Sequence, residues 1–390
     1  MNYPLTSYRF EELEEMEKIK TDSFMEYFSE LEDPRIDRRK FYPLEEILLT
    51  TVAATICGAE GWVEIQEFGE SKLEYLRSYY PFENGIPSHD TFGRVFSLLD
   101  TKLFETCFLN WVNEFQELNG SVVAIDGKRV RHSYDKSKNK SAIHVVSAFA
   151  TKFKTVLAQE KVEDKSNEII AIPKLLDVLN LKNTIITIDA MGCQRKIARK
   201  IKEKEADYVL ALKSNQGNLF EDVKSLFEEE KKNGFKNIKV DFDKTIDAGH
   251  GRIETRKCWA SNDIEWLEDK NKWAGIQSIA MIESIRETND KTETETRLYI
   301  ASLPPDAKSL NKIVRTHWSI ENSLHWVLDV VFREDDSRIR EENAPMNMAI
   351  IRHVSLNLIN KARNNVSIKC FRKSAGWDNK KLDNILLTKF

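Results

Sequence analysis

The sequence predicts an α/β protein in which a mixed β-sheet core with a β-rich insertion follows a helical N-terminal region. Apolar residues recur at helical spacing through residues 1–120, whereas strand-like runs alternate with helical segments over 121–216. Strand signals dominate residues 217–305, and helical periodicity returns over 306–390. Because 390 residues exceed what one core usually holds, these four segments define the expected domain organisation.

The first 120 residues are expected to form a bundle of short helices. Helices are predicted at residues 11–20, 44–57, 62–79 and 91–99, with Ser88 as the N-cap of the last. The bundle is either a helix-turn-helix-like module or a plain helical scaffold. The scaffold is favoured by charge, since this segment has 11 Lys and Arg against 24 Asp and Glu. In the first interpretation, the groove-entering helix begins with His89, Asp90, Thr91 and Arg94.

The segment 121–216 is predicted to form the core sheet. Strands are expected at residues 122–125, 142–150, 155–159, 184–188 and 208–212, with helices at 169–179 and 194–203. Three consecutive strands followed by helix, strand, helix and strand is the order of a ribonuclease H-like fold. A mixed sheet flanked by helices also explains why several of these runs are almost continuously apolar.

The segment 217–305 is predicted to be an inserted β-rich subdomain. After a helix that ends near Glu230, strands are expected at residues 239–246, 252–259, 277–287 and 295–301. Two helices follow in the segment 306–390, one over 307–332 and one that ends at Lys361. Asn343 is the expected N-cap of the second, because a proline follows two residues later.

Two strand-like runs in the core segment end on an aspartate. Ser121-Val-Val-Ala-Ile-Asp126 and Thr184-Ile-Ile-Thr-Ile-Asp189 each place a carboxylate at the mouth of a buried strand. Two neighbouring strands could aim both carboxylates at one point. A strand-end aspartate is also a common cap or turn residue, so each residue alone has two interpretations.

A third carboxylate, Glu321, lies in the helical segment His317-Trp-Ser-Ile-Glu321-Asn-Ser-Leu-His325. His317, Glu321 and His325 are spaced four residues apart and therefore share one helical face. The two histidines could instead share a zinc ion, because four-residue spacing permits it. Glu254 and Asp329 are rival candidates for the third carboxylate.

Three convergent carboxylates are a ligand set for two hard divalent cations, which prefer oxygen. We therefore expect two Mg²⁺ ions held by Asp126, Asp189 and Glu321, with Mn²⁺ as a substitute. A metal pair of this kind is a standard device for phosphoryl transfer on nucleic acid.

Positive charge is concentrated around the two strand-end aspartates. Residues 121–215 contain 19 Lys and Arg against 11 Asp and Glu, whereas the whole chain has a net charge of −4. Contact with phosphate would require such a distribution, although a solvated lysine-rich surface would show it too. The candidate DNA contacts are Lys128, Arg129, Arg131, Arg195, Lys196, Lys213, Arg315, His317 and His325.

The remaining features predict a cytoplasmic protein that is not inserted in a membrane. The longest apolar run, residues 47–59, is shorter than the roughly 18 residues a membrane span needs. No signal-peptide pattern is evident at the N-terminus, and the five cysteines are dispersed without CxxC pairs.

Segments along nearly the whole chain resemble one family. The chain is similar to DDE transposases of bacterial insertion sequences, closest to the H-repeat-associated, ISAs-type group. The similar segments include Gly85-Ile-Pro-Ser-His-Asp-Thr-Phe92, Ala124-Ile-Asp126-Gly-Lys128, Asp189-Ala-Met-Gly-Cys-Gln194, His250-Gly-Arg-Ile-Glu-Thr-Arg256 and His317-Trp-Ser-Ile-Glu321-Asn322. The resemblance implies a ribonuclease H-like catalytic core interrupted by a β-rich insertion, an N-terminal associated domain, and the catalytic triad Asp126, Asp189 and Glu321.

The chain departs from the family pattern around Glu321. Many related transposases have Tyr seven residues before the catalytic Glu, Arg four before it and Lys seven after it. Here these positions hold Val314, His317 and Leu328. Substitutes for the missing DNA-end contacts are Arg315, His317 and Arg333.

The expected function is Mg²⁺-dependent DNA strand cleavage and strand transfer at the ends of an insertion sequence. The implied partners are double-stranded DNA, both terminal inverted repeats and target DNA, and a second copy of the chain in a synaptic homodimer. A bacterial cytoplasmic protein of this kind would be nucleoid-associated when bound to DNA. Two alternatives stay open: a structure-specific nuclease on the same fold, and a catalytically silent DNA-binding protein derived from a transposase.

Overall fold

A computed structural model describes residues 24–113, 118–134, 141–163, 167–249, 251–289 and 291–388. The predicted helix over residues 11–20 lies outside them. The chain divides into two compact units, one formed by residues 1–114 with 331–390 and the other by residues 115–330. This division differs from the predicted segments, because residues 331–390 belong with the N-terminal helices and not with the core sheet.

The first unit is helical. Its helices are α1 (Met25–Phe28), α2 (Leu44–Cys57), α3 (Trp62–Ser71), α4 (Leu73–Leu76), α5 (His89–Leu98), α6 (Thr101–Asn113), and, from the C-terminal part of the chain, helices Ala344–Ala362, Ile368–Trp377 and Asn379–Leu386. Helices α2 and Ala344–Ala362 are buried along almost their whole length and pack on each other. Long apolar segments that are hydrophobic on all sides form the centre of a bundle, which explains this assembly from distant parts of the chain.

The second unit is built on one sheet with flanking helices. Its strands are β1 (Val122–Arg129), β2 (His144–Ala150), β3 (Thr155–Lys161), β4 (Ile185–Ile188), β5 (Asp207–Leu212), β6 (Asp241–Gly249), β7 (Arg252–Ser261), β8 (Ser278–Glu287) and β9 (Thr292–Ala301). The helices between these strands are α7 (Glu168–Val178), α8 (Arg195–Glu203) and α9 (Asn218–Lys232). The mixed α/β class predicted for the core is confirmed.

The strand order in the sheet is β3-β2-β1-β4-β5-β9-β8-β7-β6. Strands β1, β4 and β5 are parallel neighbours, and β2 and β3 are antiparallel to the strand before them. In the β1–β4 register, Ile125 is paired with Ile188. An aspartate follows each of these two residues, Asp126 within β1 and Asp189 directly after β4, at the point where the pairing of the two strands ends.

The predicted β-rich insertion does not form a separate sheet. Strand β9 pairs antiparallel with β5, and β8, β7 and β6 follow it outward. The strands therefore extend the core sheet, because the free edge of β5 offers unpaired backbone groups to the next strand. Helix α10 (Ala307–His317) covers this extension, with Leu310, Ile313 and Val314 in its hydrophobic core.

The helix predicted over residues 307–332 is not continuous. Helix α10 ends at His317, a π-helical turn spans Glu321–His325, and helix α11 (Trp326–Val330) follows. A π-helical turn is wider than an α-helical one and occurs frequently at functional sites. This segment carries the third predicted carboxylate.

The C-terminal helices of the first unit are α12 (Ala344–Ala362), α13 (Ile368–Trp377) and α14 (Asn379–Leu386).

No single helix in the described parts of the chain is long and apolar enough to cross a bilayer. Helices α2 and α3 meet the length and composition criteria only as a pair, and the pair is bent by 97°.

Candidate metal centre

The structure brings Asp126, Glu321 and His325 together. Each offers one ligand atom, and these three atoms all lie within 4.8 Å of one another. Nδ1 of His325 lies 3.5 Å from Asp126 Oδ2 and 3.6 Å from Glu321 Oε2. The first and last residues of the π-helical turn, Glu321 and His325, therefore both lie close to Asp126 of β1.

The His325 ring is buried, and its second nitrogen, Nε2, makes no hydrogen bond within the described part of the chain. A buried imidazole nitrogen without a partner costs free energy, which a bound group could recover. His325 was expected to contact DNA, but its burial beside two carboxylates gives it a place in the centre itself. The four-residue spacing from Glu321 was visible in the sequence, whereas the proximity to Asp126 was not.

The electrostatics of this cluster suit a cation. Burial raises the pKa of Asp126 to about 7, with His325 opposing this shift and the Glu321 carboxylate adding to it. Contact with His325 lowers the pKa of the less buried Glu321. A divalent cation would remove the cost of keeping Asp126 ionised, because it stabilises the charged form.

Asp189 was predicted to be either a metal ligand or a turn residue, and its surroundings bear on both interpretations. It follows Ile188, which is paired with the residue before Asp126, and its Oδ1 accepts hydrogen bonds from the backbone N–H groups of Met191 and Gly192, at 3.0 and 3.2 Å. These bonds hold the turn after β4 and leave Oδ2 outside them. Burial raises the pKa of Asp189, and the two backbone bonds oppose the shift.

The two rivals of Glu321 are engaged elsewhere. Lys128 Nζ lies 2.6 Å from Asp329 Oδ1, so the charge of Asp329 is compensated by a lysine of β1. Glu254 lies in strand β7, 3.6 Å from Arg256. Among the three candidates for the third carboxylate, only Glu321 belongs to the group formed with Asp126.

His317 does not join His325 in a metal site. Its Nδ1 is 2.9 Å from Thr187 Oγ1, and the described metal-ligand group contains His325 without it. Burial lowers the pKa of His317 to about 4, which keeps the ring neutral near pH 7. The group therefore does not contain both of the histidines that the zinc alternative needs, and the phosphate contact by His317 stays a prediction.

The predicted phosphate contacts differ in their ion-pair partners and in their exposure to solvent. The Lys128 side chain is 11% exposed and forms an ion pair with Asp329. Arg195 is paired with Asp269, and Arg315 is paired with Asp247. The other predicted contacts are exposed and could meet solvent or a polyanion: Arg129, Arg131, Lys196 and Lys213.

The residues present fit hard divalent cations. Two carboxylates and an imidazole converge, a third carboxylate stands on the adjacent strand, and the most buried of the three carboxylates needs a compensating charge. Asp126 and Glu321 with His325 would hold such an ion, and Asp189 is not a member of the group that these three form among the described residues.

Comparison with known families identifies the class. Residues 25–112 match the family described as DDE_Tnp_1-associated, and residues 117–358 match the family described as Transposase DDE domain. The second match spans more than half of the chain, so the chain belongs to the DDE transposase family, as the sequence predicted.

Individual relatives agree with this assignment. The chain is 45% identical over 342 residues to the protein named "Putative transposase YncI" of Escherichia coli O157:H7, covering 86% of this chain and 87% of the relative. It is 42% identical over 341 residues to the "H repeat-associated putative transposase YhhI" of Escherichia coli strain K12, covering 86% and 89%. A short relative from strain K12, named "Inactive transposase YbfQ", is 49% identical over 73 residues, which cover 19% of this chain and 87% of the relative.

Proposed function

We propose that this protein cleaves DNA at the ends of an insertion sequence and joins those ends to target DNA, using two Mg²⁺ ions. The single observation that supports this best is the convergence of Asp126, Glu321 and His325, with Asp189 on the adjacent strand. These residues come from two distant parts of a chain that belongs to the DDE transposase family.

In this proposal Asp126 serves both metal positions: it is grouped with Glu321, and the residue before it, Ile125, is paired with Ile188, which precedes Asp189. When bound, the ions would activate the attacking oxygen and stabilise the departing one, and Mn²⁺ could replace Mg²⁺. His325 orients the two carboxylates beside it, and its burial excludes water from that side of the centre. The exposed basic residues Arg129, Lys196 and Lys213 would contact DNA phosphates.

The proposed partners are the two terminal inverted repeats of the element, target DNA, and a second copy of the chain in the synaptic complex. The experiment uses DNA that carries both ends of the element with their flanking sequence, a labelled 3′ end, and Mg²⁺. Nicking and a joined product are expected for the wild type, and neither is expected for Asp126→Asn. Asp177→Asn is the matched control, because this exposed carboxylate of α7 pairs with Lys200 outside the centre.

The same assay separates the alternatives. A structure-specific nuclease would give nicks without a joined product. A catalytically silent DNA-binding protein would retain the labelled ends in a gel-shift assay and leave them uncut. Equal nicking by the wild type and Asp126→Asn would contradict the proposed function.

A further inference from the structure

An ion pair lies on strand β1 two residues beyond Asp126. Lys128 Nζ is 2.6 Å from Oδ1 of Asp329 in helix α11, and the two side chains are 11% and 31% exposed. Alternate residues of a strand face the same side of the sheet, so Lys128 lies on the side that carries the Asp126 carboxylate. Charges shielded from solvent are screened less than surface charges, and breaking such a pair is costly. The ion pair is therefore a firm contact between β1 and α11.

The ion pair and the metal-ligand group have matching positions along the two elements. In a strand, residues two apart, such as Asp126 and Lys128, are separated by roughly 6.6 Å along the chain. In a helix, residues four apart, such as His325 and Asp329, share one face and are separated by roughly 6 Å along the axis. His325 Nδ1 lies 3.5 Å from Asp126 Oδ2. Asp329 meets Lys128 one step further along both elements.

This match depends on the π-helical turn that precedes α11. The turn spans Glu321–His325 and contains one residue more per hydrogen-bonded ring than an α-helix does. In an α-helix one residue corresponds to a rotation of about 100°. If the turn changed to α-helical geometry, Glu321 and Asp329 could not both keep their present partners. Because π-helical turns are rare, other contacts must favour this one over the α-helix.

Each side of the turn has a contact with the sheet. On the N-terminal side, His317 Nδ1 lies 2.9 Å from Thr187 Oγ1 in β4. On the C-terminal side, the contact is the ion pair between Lys128 and Asp329. The two members of the metal-ligand group that the turn contributes lie between these contacts in the chain.

We propose that the ion pair between Lys128 and Asp329 positions the metal centre, because it fixes the rotation of helix α11 and so keeps Glu321 and His325 close to Asp126. Both residues of the pair lie outside the described metal-ligand group, so they act through its members. The inference rests on the proposed function, because it presumes a cation at Asp126. It extends that proposal by giving Asp329, a rival candidate for the third carboxylate, a different task.

The test measures Mn²⁺ binding to the full chain without DNA, from the electron paramagnetic resonance signal of free Mn²⁺. Lys128→Met keeps an unbranched side chain and removes its positive charge. If the lysine acted on the cation only through its charge, this variant would bind Mn²⁺ more tightly, because like charges repel. If the lysine positions α11, the variant should bind Mn²⁺ about tenfold more weakly, the effect typical of groups that orient metal ligands. Asp329→Asn should also bind Mn²⁺ about tenfold more weakly.

A charge reversal keeps the inference testable if Lys128→Met folds poorly. Lys128→Asp combined with Asp329→Lys restores an ion pair with its charges exchanged. Positioning predicts that the double variant binds Mn²⁺ more tightly than either single variant, whereas charge alone would place its affinity between the two. The matched control is Lys202→Met, because Lys202 pairs at 2.7 Å with Asp207, the first residue of β5, outside the centre. This control should bind Mn²⁺ as the wild type does.

The outcomes distinguish this inference from the proposed function. If Lys128→Met binds Mn²⁺ as tightly as the wild type or more tightly while Asp126→Asn binds it more weakly, the inference fails alone. A double variant with an affinity between those of the single variants would overturn the inference in the same way. If Asp126→Asn also binds Mn²⁺ as the wild type does, no cation is held at Asp126 and both proposals fail.

Discussion

Thr187 and His317 are joined by a hydrogen-bonding contact of 2.9 Å between Oγ1 and Nδ1. Thr187 lies in β4 two residues before Asp189, and His317 ends helix α10 four residues before Glu321. The contact therefore links the strand that carries one proposed ligand to the helical segment that carries another. Burial lowers the pKa of His317 to about 4, so the ring that makes this contact is neutral near pH 7.

Removing this contact should impair the centre. Thr187→Val keeps the volume and loses the hydroxyl, so we expect about 1 kcal/mol lower stability and a reduction in Mg²⁺-dependent nicking of about tenfold. Thr151→Val is the control, because its hydroxyl bonds to the carbonyl of Val122 at the opposite end of β1. The prediction fails if both variants lose stability equally and nick DNA equally well.

His325 should be needed for metal-supported chemistry and not for DNA affinity. His325→Gln removes the ring that lies between Asp126 and Glu321, and nicking should fall by about tenfold to a hundredfold. Binding to DNA measured in Ca²⁺ should change little, because the ring is buried. If His325→Gln binds DNA more weakly than the wild type but nicks it normally, His325 contacts DNA and this prediction is wrong.

Metal affinity should depend on pH through Asp126. Its pKa is raised to about 7, so below that value the carboxylate holds a proton that a cation must displace. The apparent affinity for Mn²⁺ should therefore fall as the pH drops from 7.5 to 5.5, by up to about tenfold per pH unit if one proton is released. Calorimetry in buffers of different ionisation enthalpy would count the released protons. If Mn²⁺ binding at pH 6 releases no proton, Asp126 is not the ligand that the metal deprotonates and the prediction is wrong.

The pH dependence of stability without metal has a definite sign. The folded-state pKa of Asp126 is above its unfolded value near 3.8, so this group destabilises the fold increasingly as the pH rises from about 4 to 7. Asp126→Asn should remove that contribution and be relatively more stable at pH 8 than at pH 4. Thermal unfolding in the presence of a chelator measures the stability of both proteins at pH 4 and at pH 8. If the change in stability between the two pH values is the same for Asp126→Asn and the wild type, the prediction is wrong.

Lys213 and Lys128 should contribute differently to the salt dependence of DNA affinity. Lys213 is exposed at the end of β5, and Lys213→Ala should reduce the slope of log affinity for DNA against log salt by about one. Lys128→Ala should leave that slope nearly unchanged and lower stability, because it leaves the carboxylate of Asp329 without the lysine beside it. Equal changes of slope would show that Lys128 also contacts phosphate.

In the helical unit, Arg372 should be a stability residue. Its guanidinium is buried and donates hydrogen bonds to the carbonyls of Thr55, Ile56 and Val331, two of which are at the C-terminal end of α2. Arg372→Met would leave these carbonyls without the donor, at a cost of about 2–4 kcal/mol in calorimetric unfolding. Lys369→Met on the exposed side of α13 should cost little. A similar cost for both variants would argue against this capping role.

Much of the fold was predictable because its signals are local. The β-branched runs before Asp126 and Asp189 are strands, and the segments 44–57 and 194–203 are helices within a residue of their predicted limits. The break between His317 and Glu321 was not predicted, since apolar spacing continues across it. The insertion was expected as a separate part, but β9 pairs with the edge of β5, a choice that depends on which edge the folded sheet leaves open.

The amino-acid sequence was enough to predict the family, the α/β class, and the small set of acidic side chains from which a metal centre could be chosen. The three-dimensional arrangement was needed to show that Glu321 approaches Asp126 while Asp329 pairs with Lys128, and that Glu168 is turned inward over Gly127. The difference arises from the range over which each interaction acts. Backbone propensity and apolar period act over a few residues, whereas the pairing of charges depends on distances between groups that lie far apart in the chain.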